Sequence, residues 1–98
     1  MEPITLMSGV NREMINDINF DWFGKRLAIA TVENKLKIYD IRETEDGKPH
    51  LKLTSETLAH SGAIWKVKWA HPDFGPLLVT CSYDKHIIGW QPQKIKSN

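Results

Sequence analysis

Apolar and polar residues along the chain alternate with a period of two rather than 3.6, and the alternation is interrupted every few residues by turn-forming clusters. Ile15 to Phe20 alternates, with Asn16, Ile18 and Phe20 predicted on one side and Ile15, Asp17 and Asn19 on the other. Asp21-Trp22-Phe23-Gly24 then turns the chain. Arg26 to Thr31 is a nearly continuous apolar run, as expected of a strand covered on both faces. Glu33-Asn34 marks a second turn, and Lys35 to Asp40 alternates again. The polar stretch Arg42 to Pro49 contains Asp-Gly and reads as a loop. His50 to Leu58 is a further strand, with Leu51 and Leu53 on one face.

The second half repeats this order. Ala63 to Ala70 is predicted as a strand with Trp65, Val67 and Trp69 on one face and Lys66 and Lys68 on the other. Leu77 to Ser82 and His86 to Gln91 are the next two strands, and the terminal QKIKSN could begin a fourth. Ile4 to Met7 is a candidate strand ahead of the first unit. Nothing of useful length has a helical period. A shift of 49 residues superimposes Asn11 on His60, Ile18 on Val67 and Phe20 on Trp69. Beyond the first turn the shift is 51, pairing Phe23 with Phe74, Gly24 with Gly75, Leu27 with Leu78 and Tyr39 with Trp90. The two extra residues fall in the turn AHPDFG, where insertion costs little. A repeat of about 40–50 residues with four strands per unit is the signature of a propeller blade.

Composition narrows the function classes. The 98 residues allow one domain, and 41% hydrophobic with 26% charged residues predicts a folded chain rather than general disorder. A net charge of +1 offers no electrostatic case for nucleic acid or an anionic membrane. The single cysteine, Cys81, cannot form an internal disulfide, which suggests a reducing compartment. Glu2 and the absence of a long apolar core near the start do not resemble a signal peptide, so a cytosolic or nuclear location is expected.

Several residue sets invite sharper readings. His60, Ser82 and Asp84 are the types of a hydrolase triad, yet no Gly-x-Ser-x-Gly elbow surrounds Ser82. His50, His60, His71 and His86 lack the spacing of a helical metal site and have no accompanying carboxylate cluster, and His71 before Pro72 is expected to be a turn residue resting on Phe74. Trp22, Trp65, Trp69 and Trp90 beside lysines could stack bases, but core packing, with lysines on the opposite pleat, is the preferred reading. No enzyme and no cofactor are expected.

The second unit carries the fuller WD-repeat pattern: His60 ahead of its first strand, Asp84 in the turn before its third, and Trp90 six residues later. The stretches IWKVKWAHPDFGPLLVTCSYDKHIIGW and MINDINFDWFGKRLAIAT resemble the second and first repeats of the Sec-thirteen/Seh-one group of propellers, nearer the Sec-thirteen side. Trp69, His71, Pro72, Phe74 and Gly75 form the most specific signature, the Trp-Ala-His-Pro-x-Phe-Gly turn. The resemblance implies an all-β fold: a WD-repeat β-propeller fragment of two four-stranded antiparallel blades, over residues 1–98. Blade 1 would span about 11–58, blade 2 about 60–98, and an N-terminal strand 3–7. Carried over by position, it implies a structural tetrad of His60, Cys81, Asp84 and Trp90. The matching places in the first unit hold Asn11, Ala30, Glu33 and Tyr39, so no tetrad is expected there.

By the same resemblance the chain is expected to act as a non-catalytic scaffold of the COPII outer coat or the nuclear-pore Y-complex. Its partners would be a helical-solenoid coat protein or nucleoporin, engaged by strand or blade complementation. Ile4, Thr5 and Leu6 are the candidate strand edge, no nucleic acid is involved, and contact with membrane is indirect, through a coat. The expected locations are the cytoplasm at ER exit sites and coated vesicles, and the nuclear pore. A WD-repeat adaptor that binds linear peptides is the alternative. Closed propellers need about 4–8 blades, so two blades predict a fragment or a piece of a larger assembly. Trp90, Ile88, Leu36 and Ile38 are not all expected to be covered, and the isolated chain is expected to be prone to aggregate.

Overall fold

The computed structural model describes residue 3 and residues 14–91. Seven strands follow in order: β1 (Ile15–Phe20), β2 (Arg26–Thr31), β3 (Lys35–Glu43), β4 (Pro49–Leu58), β5 (Ile64–Trp69), β6 (Leu78–Ser82) and β7 (Ile87–Trp90). They form two antiparallel meanders. Sheet A has the order β1-β2-β3-β4, and the described part of sheet B has the order β5-β6-β7. The only helical element among the described residues is one 3-10 turn, Pro72–Phe74. The candidate fourth strand of the second unit, like Ile4, Thr5 and Leu6, lies outside the described residues.

The backbone reproduces the repeat seen in the sequence. Gly24 and Gly75, which are 51 residues apart, adopt φ of 68° and 75° at the ends of the first turns. Asn34 and Lys85, at the same shift, adopt φ of 70° and 71° in the turns before the third strands. Asparagine tolerates the left-handed region well, whereas lysine at Lys85 is held there by its surroundings. The first turn is fixed by Asp21, whose Oδ1 accepts from Lys25 N (2.7 Å) and Arg26 N (3.1 Å).

Register decides which residues meet. In sheet A, Asp17 pairs with Ala30 and Asn19 with Ala28, and these pair onward with Leu36 and Ile38, so all six point to one side. That side faces sheet B. Ala28, Ala30 and Leu36 form one buried cluster with Ile64, Val67 and Leu78, and Ile38, Trp69 and Trp90 pack around it. Burying each aliphatic side chain here contributes about 1.5–3 kcal/mol. Of Leu36, Ile38, Ile88 and Trp90, only Leu36 is fully buried by the stacking of the two sheets; the other three are half-buried.

The two outer faces are not alike. On sheet A, Leu27 (3% exposed), Ile29 (2%) and Tyr39 (5%) form a second buried cluster with Ile41 and Leu51 packed against it. On sheet B, Lys66, Lys68, Val79, Cys81, Ile87 and Gly89 share the outer face by register, and Ile87 is 75% exposed. The outer face of sheet A is also open at its edge, where Ile18 and Phe20, paired with Ile29 and Leu27, are half exposed.

Two bulges redirect predicted side chains. An irregularity between Ile15 and Asp17 lets Asn16 reach sheet B, where its Nδ2 donates to Ile64 O (2.8 Å). A matching irregularity between Ile64 and Lys66 turns Ile64 into the core and Trp65 out. Trp65 is half exposed and lies tilted against Tyr83, with ring centroids 6.5 Å apart, so it does not share the face of Val67 and Trp69 as the alternation predicted. Trp22, 68% exposed, is also not a core residue.

Candidate functional site

Three constructions hold the structure, one within sheet B and two between the sheets, and each uses a residue the sequence singled out or passed over. The first is a one-way chain of hydrogen bonds inside sheet B. Trp90 Nε1 donates to Thr80 Oγ1 (2.9 Å), the Thr80 hydroxyl donates to His60 Nε2 (2.6 Å), and His60 Nδ1 donates to Asp84 Oδ2 (2.9 Å). Asp84 also accepts from Ser61 N (3.1 Å) at the same oxygen and from His86 N (2.8 Å) at Oδ1. This donor sequence requires a neutral imidazole with its proton on Nδ1, and it leaves no member of the chain unsatisfied. Burial pushes the Asp84 carboxyl up. The bonds from His86 N–H, the His60 ring and Ser61 N–H outweigh that and hold it well below the usual carboxylate range.

His60, Asp84 and Trp90 therefore meet as the family pattern implied, but Thr80 joins them in place of Cys81. The reason is the pleat. Adjacent strand residues point to opposite faces, and Thr80 pairs with Val67 on the side toward sheet A, whereas Cys81 pairs with Lys66 on the outer side. Thr80 is fully buried and Cys81 only partly so. The residue at the equivalent place in sheet A, 51 positions earlier, is Ile29 rather than Ala30.

Ser82 supports the tetrad from the next turn. Its Oγ lies 2.9 and 3.0 Å from the carbonyls of Gly62 and Ala63, between which it shares its proton, and it accepts from Asp84 N (3.1 Å). A Cβ on Gly62 would stand 3.0 Å from Asp84 N, so glycine is what lets the His60–Gly62 loop close onto this turn. With its hydroxyl committed to two backbone carbonyls, Ser82 is a structural serine, not a nucleophile poised beside a base.

The second construction is the seam between β1 and β5. Val67 N donates to Asp17 Oδ2 (2.8 Å) and Trp69 N to Asn19 Oδ1 (2.9 Å), while Trp69 Nε1 donates to Asn19 O (3.1 Å). The edge N–H groups of one sheet are thereby satisfied by side chains of the other rather than by a ladder, which is how an exposed strand edge is closed. The sequence reading placed Asp17 and Asn19 together on one side. What their carboxylate and amide accept from was invisible until the neighbouring edge was in place.

The third is the turn carrying Trp69, His71, Pro72, Phe74 and Gly75. Pro72 opens the 3-10 turn, His71 Nδ1 accepts from Asp73 N (3.2 Å), and Gly75 N–H donates to Pro72 O (2.9 Å). The His71 ring rests on Trp22 of sheet A, with centroids 4.8 Å apart, and not on Phe74, which is exposed. This turn thus also spans the two sheets. Between the sheets lies a cleft of ≈ 650 Å³ lined by Leu36, Ile38, Thr57, Trp69 and Trp90. Among the described residues, no group of three or more His, Cys, Asp or Glu is placed to hold a metal ion.

No protein-family model matches the chain. Individual proteins do. The chain is 41% identical over 88 residues to protein transport protein SEC13 of Lodderomyces elongisporus, covering 90% of this chain and 28% of that protein. It is 40% identical over 81 residues to SEC13 of Candida albicans, covering 83% and 26%. Human nucleoporin SEH1 is 35% identical over 88 residues, covering 90% and 23%. The chain is a homologue of SEC13 and SEH1. SEC13 proteins match at somewhat higher identity, and both groups are WD-repeat propellers. The fold is accordingly all-β and of the WD-repeat type. The chain spans about a quarter of the length of these relatives. A match over 88 of the 98 residues takes in strands of both sheets.

Proposed function

We propose that this chain is a non-catalytic scaffold piece of the SEC13/SEH1 type. Its units are a first blade of about residues 11–58 and a second of about 60–98, and it works in a vesicle coat or the nuclear pore by strand or blade complementation with a protein partner. The observation that carries this reading is homology across 90% of the chain to proteins named for protein transport and for the nucleoporins. Physical features support it. The polar side chains at the centre of sheet B are spent on one another and on backbone groups, which leaves structural work rather than chemistry for them. Side chains of one sheet satisfy the edge of the next, which is the device by which a sheet accepts a neighbour.

On this reading the partner is a helical-solenoid coat protein at ER exit sites and coated vesicles, or a corresponding nucleoporin, and no cofactor is used. The partner's strand pairs with the stretch Ile4, Thr5 and Leu6, and membrane is reached only through the coat. Co-expression of the tagged chain with each solenoid in turn tests the proposal. Near-equal recovery of one solenoid, lost when Ile4 and Leu6 are changed to proline, is the expected result. Reversible binding of short linear peptides with no solenoid retained would instead make the chain a peptide-binding adaptor.

A further inference from the structure

Beyond the inter-sheet core, one end of sheet A carries more positive charge than it neutralises. Register puts Arg26, Asp40 and Lys52 in one cross-strand row on the side that faces sheet B, and Arg42 stands on that side two residues past Asp40. Three cations thus surround one carboxylate, a surplus of two positive charges (three less one). Arg26 Nε lies 4.0 Å from Asp40 Oδ1 and Arg42 Nη2 3.9 Å from Oδ2, so neither makes the short, forked contact of a guanidinium that a carboxylate fully engages. Lys52 is exposed and makes no ion pair among the described residues. His50, opposite Arg42, is turned to Asp46 at 3.7 Å. The row borders the ≈ 650 Å³ cleft between the sheets, where Arg26 and Asp40 stand beside Ile38, Trp69 and Trp90. Both indole N–H groups are already spent, on Asn19 O and Thr80 Oγ1. The rings are therefore held in place and offer the cleft only their apolar surface.

We propose that this cleft holds the phosphotyrosine side chain of a partner protein, its ring among Ile38, Trp69 and Trp90 and its phosphate on Arg26, Arg42 and Lys52. Charge selects the ligand. A phosphate monoester carries about −1.5 to −2 at pH 7, which matches the surplus, whereas a carboxylate leaves half of it unmet. The planar forks of two arginines suit phosphate oxygens. Ile38 and Asp40 are alternate residues of one strand, about 7 Å apart, so a ring packed on the first sets a phosphate ester over the second. The segment 92–98, which follows Gln91 at the cleft, contains Lys94 and Lys96 and no acid, and would set like charges against the row. Thr54 and Ser55 of β4 also line the cleft, and β4 is the edge of sheet A. A peptide that carries the phosphotyrosine finds open backbone groups there to run along, and a free nucleotide has no use for them. The inference rests on this cleft alone and holds whether the chain serves a coat, a pore or neither.

The test titrates the full chain with a short Ala/Ser peptide bearing one central phosphotyrosine, with its tyrosine and phosphoserine twins, and with AMP, following the indole resonances of Trp69 and Trp90. The phosphotyrosine peptide should bind roughly tenfold more tightly than either twin at low salt and should shift both indoles. Arg42→Gln/Lys52→Gln should remove that advantage. Both residues are exposed, so the variant should keep the wild-type circular dichroism and denaturant midpoint. Asp40→Asn removes the competing carboxylate and should tighten binding a few-fold, a gain that damage to the fold cannot imitate. Equal binding of the three peptides, an advantage that survives in Arg42→Gln/Lys52→Gln, or weaker binding by Asp40→Asn would overturn the proposal. Tighter binding of AMP than of the phosphotyrosine peptide would overturn it as well, by giving the cleft to a nucleotide.

Discussion

Ile29 on sheet A and Thr80 on sheet B stand at the same place in the repeat, and they are held in different company. Ile29 lies buried among Leu27 and Tyr39, with no polar atom to satisfy. Thr80 is equally buried but is the middle link between Trp90 and His60. The same contrast runs through the neighbouring places: Tyr39 against Trp90, and Glu33, an exposed turn residue 4.0 Å from Lys35, against Asp84. One backbone plan, down to the left-handed residue in the turn before each third strand, is therefore fastened by apolar packing in one copy and by a hydrogen-bond chain in the other. The lesson is that the blade geometry does not need the tetrad. The tetrad adds direction, since each donor specifies one acceptor, whereas packing specifies only volume.

The largest effect should come from the surface that both sheets share. Leu78→Ala empties a fully buried site in the inter-sheet cluster and should cost about 2–5 kcal/mol, read from the denaturant midpoint. If sheet B were held mainly by its own tetrad, this loss would be far smaller. Next comes Thr80→Val, nearly isosteric, which strands the His60 Nε2 acceptor and the Trp90 indole donor and should cost about 1–3 kcal/mol. The contrasting substitution, Ile29→Thr, places a hydroxyl with no prepared partner in the same position of sheet A and should cost a comparable amount, by burying an unmet donor rather than by breaking a chain. Cys81→Ser, on the outer side, should change stability by less than about 0.5 kcal/mol, and an effect equal to that of Thr80→Val would reverse the assignment of the tetrad.

The seam between the sheets ranks below Leu78→Ala and at the low end of the range for Thr80→Val. Asn19→Ala removes the acceptor for Trp69 N and should cost about 1 kcal/mol, with amide exchange at Trp69 speeding up more than exchange at interior strand positions such as Ile29. If Trp69 exchange is unchanged, water or a shifted strand satisfies that edge, and the side-chain seam is not what joins the sheets.

How far the sequence alone reaches is clearest at particular residues. The strands, their turns and the two-unit repeat follow from alternation and from Gly24, Asn34 and Gly75, because period and turn chemistry are local. Faces were legible only while the alternation stayed in step. The irregularity between Ile64 and Lys66 moved Ile64 inward and Trp65 outward, and nothing in the letters marks a bulge where no glycine sits. The tetrad differs from the carried-over one by a single residue for another reason, the pleat of β6. Carrying the family's hydroxyl to Cys81 instead of Thr80 changes the face, although a threonine stood next to it as the obvious hydroxyl. That neighbouring hydroxyl was the signal available to correct it. The roles of Asp17 and Asn19 could not be read at all, because what they accept from lies 50 residues away on another strand.

Acid should separate Asp84 from its counterpart Glu33. The three donors around the Asp84 carboxylate hold its folded pKa well below the ordinary carboxylate value, against the opposing effect of burial. With the folded pKa depressed, protons bind the unfolded chain first on acidification. The stabilising contribution is therefore complete above the unfolded value of about 3.9 and is lost progressively as pH falls below it toward the folded value. Denaturant midpoints measured from neutral pH down to about pH 2 should show that loss. Asp84→Asn can keep an acceptor oxygen for His60 Nδ1 and Ser61 N but sets its NH2 against the His86 N–H, so it starts from a lower midpoint; because it cannot titrate, that midpoint should fall less steeply in this range. Glu33→Gln should leave the slope as in the wild type. A flat Asp84→Asn profile beside an unaltered Glu33→Gln profile would tie the acid sensitivity to the hydrogen-bond chain of sheet B. Equal slopes in all three proteins would mean that the carboxylate is no better held in the folded chain than in the unfolded one, and the two sheets would then differ in packing alone.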